Sequence, residues 1–336
     1  MKNFRILFIV FMTCTIFAAD PAGLKIDFSG RDLMQKNLAY RKDNYVPYDY
    51  YEEVILPVQA GFRMTELQRY DAARDYFFKA LSRDSTYVVA YNGLGNLYMK
   101  QESLRTAEQY YRKALKYDPR SSIAYNNLGN LFMMRDDRIR GEMYLKKALA
   151  LNPNSSTIYY NLGNVFLQTG RSDSAEAFYR KAIELDRSFC NARYNLALLF
   201  ENRGDILKAI NEYENAADLC PGHSKIILNL AAYYIENGEI DKAFNRYEQA
   251  VKINPDPEVY KALGNLYYNT GSITDSHFAY KKAVETDSLD MEAAYYLAQS
   301  YYEQNMSFSA LKLCRHILEH SPAHVQARQL CDSLEQ

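Results

Sequence analysis

Three histidines, His316, His320 and His324, cluster near the end of the chain. His316-Ile317-Leu318-Glu319-His320 sets two imidazoles four residues apart. On a helix that spacing puts both on one face, within reach of one metal ion, with Cys314 nearby. Against this, Cys314 falls in a column of core residues, and neither a downstream carboxylate ligand nor an enclosing cleft is evident. The histidines are therefore read as solvated, with no metal or cofactor expected. No nucleophile elbow, phosphate-cradling loop or CxxC pair occurs elsewhere, so no catalytic residue is expected.

Cysteines offer the other chemistry. Cys14 lies in the first apolar stretch, and Cys190, Cys220, Cys314 and Cys331 follow. The last four either stay buried thiols or pair in an oxidising compartment. If they pair, Cys314–Cys331 is the first choice, because both occupy core columns on neighbouring helices. Cys190–Cys220, at one end of a single hairpin, is the second.

Asparagine is the third recurring polar group. Asn127, Asn161, Asn195 and Asn229 recur at one interval, and Asn96, Asn130, Asn164 and Asn265 form a second column. An amide offers both a donor and an acceptor, the complement of a peptide unit.

The elements that position these groups are set by a 34-residue period. Leu94, Leu128, Leu162, Leu196, Leu230, Leu263 and Leu297 keep it, with one 33-residue step. A small residue follows each leucine, as in Gly95, Gly129 and Gly163, and an aromatic comes three later, as in Tyr98, Phe132 and Phe166. A second set of columns runs through Ala73, Ala107, Gly141 and Ala175, then Phe77, Tyr111, Leu145 and Tyr179, then Ala80, Ala114, Ala148 and Ala182. Residues three and four apart share a helix face, so each period encodes two helices with facing small residues and flanking bulky ones. Pro119, Pro153, Pro221, Pro255 and Pro322 close many periods.

These columns resemble the tetratricopeptide repeat, with Tyr91, Tyr125, Tyr159 and Tyr260 where that family often has Trp. The resemblance implies an all-α fold, a right-handed α-solenoid superhelix of stacked helix-turn-helix units. Eight units are expected over 54–324 (54–87, 88–121, 122–155, 156–189, 190–223, 224–256, 257–290 and 291–324), followed by a capping helix at 325–336. The first unit is weak, because Pro57 lies in its first helix and Met64 replaces the aromatic.

Residues 1–19 read as a signal peptide: Lys2 and Arg5, an apolar run from Ile6 to Phe17, then Ala18-Ala19. The chain is thus expected to be exported, to the periplasm or cell envelope. Cys14 lacks the residues of a lipid-attachment box, and membrane association would follow only from its lipidation. Residues 20–53 form a tyrosine-rich arm, read either as an extended segment on the first hairpins or as an interaction segment.

The resemblance also implies function. In this family extended peptides bind along the first helices of the units. Asn92, Asn96, Asn126, Asn127, Asn130, Tyr160, Asn161, Asn164, Tyr194, Asn195 and Asn229 are the expected peptide-binding residues, with Met99, Met133 and Met134 as apolar contacts. The asparagine column resembles the repeat region of O-linked N-acetylglucosamine transferases, without their catalytic domain. The family's carboxylate clamp does not carry over: Lys261 and Asn265 match part of it, but Tyr296 interrupts it. A non-catalytic scaffold or adaptor for a protein or peptide partner is expected; the alternative is a structural component of an envelope assembly complex. A net charge of −1 disfavours nucleic acid, and no small-molecule substrate is expected.

Overall fold

The computed structural model describes residues 48–335 and, among them, contains helices and no strand. The expected signal peptide, Cys14 and most of the expected arm lie outside the described residues. The chain divides into two compact units, Met1–Phe189 and Cys190–Gln336.

In the first unit, Tyr48–Tyr50 and a wide turn at Tyr51–Ile55 lead into α1 (Leu56–Glu66). Then follow α2 (Tyr70–Arg83), α3 (Val88–Lys100), α4 (Leu104–Tyr117), α5 (Ser122–Met134), α6 (Arg138–Leu151), α7 (Ser156–Gln168) and α8 (Ser172–Leu185). The second unit holds α9 (Cys190–Asn202), α10 (Ile206–Leu219), α11 (Ser224–Glu236), α12 (Ile240–Ile253), α13 (Pro257–Asn269), α14 (Ile273–Thr286), α15 (Met291–Glu303), α16 (Ser307–His320) and α17 (Val325–Glu335). Each odd helix from α1 to α15 packs most closely against the even helix after it, and hairpins stack in chain order within each unit. Pro57 does not break its helix. It sits in the first turn of α1, directly after the wide turn at Tyr51–Ile55.

The columns form the core. Leu94, Leu128 and Leu162 are fully buried, as are Ala107, Ala148 and Ala182 and the rings of Tyr111, Tyr179 and Tyr213. At the α5–α6 contact both small residues are glycines. A Cβ added at Gly129 would sit 2.5 Å from Leu145 Cγ and 3.1 Å from the Gly141 carbonyl oxygen, so no side chain fits there without displacing its neighbours.

The turn inside every hairpin needs one left-handed residue. Gly170, Gly204, Gly238 and Gly271 take it at φ +73° to +86°, and Gln68, Glu102, Asp136 and Asn305 take it in the remaining hairpins at φ +57° to +59°. The helix starts carry caps in several repeats: Ser121 Oγ accepts from Ala124 N at 3.3 Å, and Asp290 Oδ1 accepts from Ala293 N at 3.0 Å.

The last hairpin is closed by α17. Its Ala327 packs with Ala294 and Ile317, its Cys331 with Ala298 and Cys314, and Glu335 pairs with Arg315 at 2.7 Å. Cys314 and Cys331 are buried thiols, so the first-choice disulfide does not form and the alternative of buried thiols holds for this pair. Both serve as small apolar filler, and the Cys331 thiol points toward Glu335 Oε1 at 3.7 Å. The bond that forms is Cys190–Cys220, with a Cα–Cα separation of 6.4 Å, joining the start of α9 to the residue after α10.

Candidate functional site: the asparagine ladder

The asparagines lie on the odd helices. Asn92 and Asn96 share one face of α3, Asn126 and Asn130 one face of α5, and Tyr160 and Asn164 one face of α7. Asn127 and Asn161 come one position after Asn126 and Tyr160.

The structure buries the asparagines of the first unit. Asn92, Asn96, Asn127, Asn130 and Asn161 are fully buried, with Asn126 and Asn164 nearly so. Most of the amides are spent on one another. Asn161 Nδ2 donates to Asn126 Oδ1 at 2.9 Å, Asn126 Nδ2 to Asn127 Oδ1 at 3.4 Å, and Asn127 Nδ2 to Asn96 Oδ1 at 3.1 Å. This chain ties α7 to α5 and α5 to α3. A buried amide must find such partners, because leaving one unmet costs about 1–3 kcal/mol.

A second set of bonds crosses each hairpin. Tyr111 OH donates to Asn96 Oδ1 at 2.8 Å, Tyr179 OH to Asn164 Oδ1 at 2.7 Å and Tyr280 OH to Asn265 Oδ1 at 2.7 Å. The offset is 15 residues each time. Burial raises the Tyr111 and Tyr280 phenols, which keeps them protonated donors. The sequence reading took these tyrosines as core filler and missed their hydroxyls. The constant Asn-to-Tyr offset was the available signal.

Asn130 and Asn92, both in the first unit, depart from this ladder. Neither Asn130 Nδ2 nor Asn130 Oδ1 has a hydrogen-bond partner, and Asn92 Oδ1 also lacks one, although Asn92 Nδ2 donates to Val88 O at 3.3 Å. The same offset from Asn130 arrives at Leu145, which has no hydroxyl to give. Asn130 is orphaned by that single substitution within the tyrosine column.

The other expected residues separate from this network. Tyr160 is buried, its ring 6.0 Å from that of Tyr179 and 5.2 Å from Phe189. Met99 and Met133 are core residues, Met133 filling the space beside Gly141. In the second unit, Tyr194, Asn195 and Asn229 are half-buried, and Asn229 Nδ2 donates to Tyr213 OH at 2.9 Å. Lys261 bonds Glu258, Asp290 and Glu292 at 3.1, 3.2 and 2.9 Å. Burial disfavours its charge, yet the carboxylates outweigh this and raise it. It is an internal tie between α13 and α15.

One group among the described residues has metal-ligating geometry. Ligand atoms of His316, Glu319 and His320 lie within 4.8 Å of one another on α16. Glu319 and His320 are exposed, and His320 Nδ1 lies 3.0 Å from the His316 carbonyl oxygen. No helix among the described residues is long and apolar enough to cross a membrane.

Comparison with solved structures places this architecture. Yeast Tom70 is similar over 90% of this chain and 71% of its own, at 19% identity and a TM-score of 0.61. Cut9, from the APC/C hetero-tetramer Cut9–Hcn1, is similar over 91% of this chain and 60% of its own, at 15% identity and a TM-score of 0.50. PilF of Pseudomonas aeruginosa matches 63% of this chain and 97% of its own, at 18% identity and a TM-score of 0.50. At these identities the likeness is one of fold, that of a helical solenoid. No curated protein matches the chain in sequence. Models of the tetratricopeptide repeat match residues 88–121, 120–188, 178–211, 203–266 and 261–325, adjoining or overlapping segments that together run from α3 to the start of α17. The recurring columns, the stacked hairpins and these matches agree: the chain belongs to the tetratricopeptide-repeat family.

Proposed function

We propose that the chain is a non-catalytic scaffold that receives an extended polypeptide segment on the odd helices of its second unit, reading backbone rather than side chains. The observation that carries this is that Tyr194, Asn195 and Asn229 stay only half-buried on α9 and α11, whereas the asparagines of the first unit are sealed inside. Each peptide unit has one N–H and one C=O, and together these meet both atoms of an Asn amide. The bond from Asn229 Nδ2 to Tyr213 OH ties α11 to α10, which gives the surface a fixed frame.

Export is part of the same proposal. It rests on the sequence of residues 1–19, and the Cys190–Cys220 bond supports an oxidising compartment. Intact mass of the protein from its host should begin near Ala19 or Asp20; a mass that retains Met1 overturns export.

The binding reading is tested with peptides selected from a random displayed library, then resynthesised with alternate backbone amides N-methylated. Methylation should abolish binding, while changes of neutral side chains should alter it little. A variant lacking residues 20–47, titrated in parallel, reports whether that segment competes. Equal affinity for methylated and unmethylated peptides overturns the reading.

A further inference from the structure

In the second unit the tyrosine column takes a different turn. The offset that pairs Tyr111 with Asn96 leads from Tyr213 to Leu198, which has no side-chain amide. The Tyr213 hydroxyl instead donates to Glu201 Oε2 at 2.9 Å and accepts from Asn229 Nδ2 at 2.9 Å. Glu201 lies in the last turn of α9 and is half-buried. The Tyr194 and Tyr233 rings lie 6.0 and 6.2 Å from the ring of Tyr213, so three aromatic side chains from α9, α10 and α11 gather near one carboxylate. Burial first, and then the nearby Glu201 charge, raises the Tyr213 and Tyr233 phenols, so both remain O–H donors.

What this arrangement lacks is a cation. Among the described residues no lysine, arginine or histidine pairs with Glu201. On the same hairpin Glu212 has Arg193 at 3.2 Å. A carboxylate drawn partly out of water is ordinarily matched by a positive group, since phenol donors satisfy lone pairs without neutralising charge. Aromatic faces beside it attract a cation by their quadrupoles.

We propose that Glu201, with Tyr194, Tyr213 and Tyr233, forms a pocket for a lysine or arginine side chain of the bound polypeptide. This rests on the scaffold reading above and adds a side-chain preference to it. The ammonium or guanidinium would meet the free lone pairs of Glu201, and its aliphatic stem would lie along the half-buried rings of Tyr194 and Tyr233, with the buried Tyr213 hydroxyl holding the carboxylate in place. Glu236, close enough to raise Tyr233, adds negative potential on α11 and disfavours an acidic segment.

The test is selection from the random displayed library, using the full chain and its Glu201→Gln variant. The wild-type chain should recover peptides with a recurrent Lys or Arg. The variant should bind such a peptide roughly ten-fold or more weakly, the scale of a lost charge-assisted bond. It should also no longer distinguish that peptide from a copy carrying Gln at the basic position. That copy, titrated against the wild-type chain, gives the same loss without altering the protein. Lysine and arginine copies compared side by side show which head group the pocket prefers. Peptides recovered without a recurrent basic residue, or a Gln copy that binds the wild-type chain equally well, overturn this proposal and leave the scaffold reading standing. If the wild-type chain recovers no peptides at all, the scaffold reading fails and this proposal fails with it.

Discussion

Tyr111 on α4 donates its hydroxyl to Asn96 on α3 at 2.8 Å, and Asn96 in turn accepts from Asn127 on α5 at 3.1 Å. One buried oxygen thus joins a hairpin internally and to the next hairpin. Shape complementarity between hairpins is set by alanine, glycine and leucine columns, but this bond fixes their register, because its short directional contacts do not survive a slip of one residue.

Replacing Asn127 with Ala removes that inter-hairpin bond and strips Asn126 Nδ2 of its acceptor. We expect a loss of about 1–3 kcal/mol in unfolding free energy by chemical denaturation. A change under a few tenths of a kcal/mol would mean that the ladder adds nothing to cohesion.

The two kinds of cysteine should separate in thiol counts. Protein cleaved at the expected site and denatured without reductant should show two reactive thiols, from Cys314 and Cys331, and four after reduction. Reducing Cys190–Cys220, which spans 30 residues, should cost about 3–4 kcal/mol on the chain-entropy model. Four reactive thiols before reduction would exclude the bond.

Cys314 also gives stability a dependence on alkaline pH. Burial pushes its thiol up to about 11 from an ordinary value of about 9. The unfolded chain therefore releases this proton first. The contribution is fully present below pH 9 and is lost as pH rises towards 11. Denaturation series across this range should fall less steeply for Cys314→Ala than for the wild-type chain; parallel curves would count against it.

Truncation before Val325 removes α17 and uncovers Ile317, Cys314 and Ala298. The terminal face of a stacked array needs such a cover, so the shortened chain should self-associate in light scattering. A monodisperse truncated protein of unchanged melting temperature would show that α16 needs no cover.

The fold was legible because stacking repeats the same solution. Leu94, Gly95 and Tyr98 mean little alone, but recurrence at one period can only be one supersecondary unit used many times. The turns were half legible. Glycine marks the left-handed residue in four hairpins, and the short side chains of Asp136 and Asn305 tolerate it, whereas Gln68 and Glu102 adopt it against their own preference, because the hairpins on either side dictate it. The site was legible by position and not by role. Periodicity puts Asn127 and Asn130 near one another on α5, but does not tell which amide is spent inside the protein. That depends on a partner one helix away, Tyr111 in one hairpin and Leu145 in the next. The first-choice cysteine pair, Cys314–Cys331, failed for a related reason, while the second choice, Cys190–Cys220, forms. Shared core columns show that two thiols are neighbours, not that their sulfurs meet.

Asn195→Ala tests the central claim most directly, with stability and peptide affinity measured on the same protein. Asn195 is half-buried on α9. The account predicts unfolding free energy changed by less than about 1 kcal/mol, with affinity for a library-selected peptide lowered about two- to ten-fold, the worth of one hydrogen bond or slightly more. If Asn195→Ala instead unfolds more easily by several kcal/mol and binds the peptide as tightly as before, Asn195 is one more structural rung, and the asparagine column is not a peptide-reading surface.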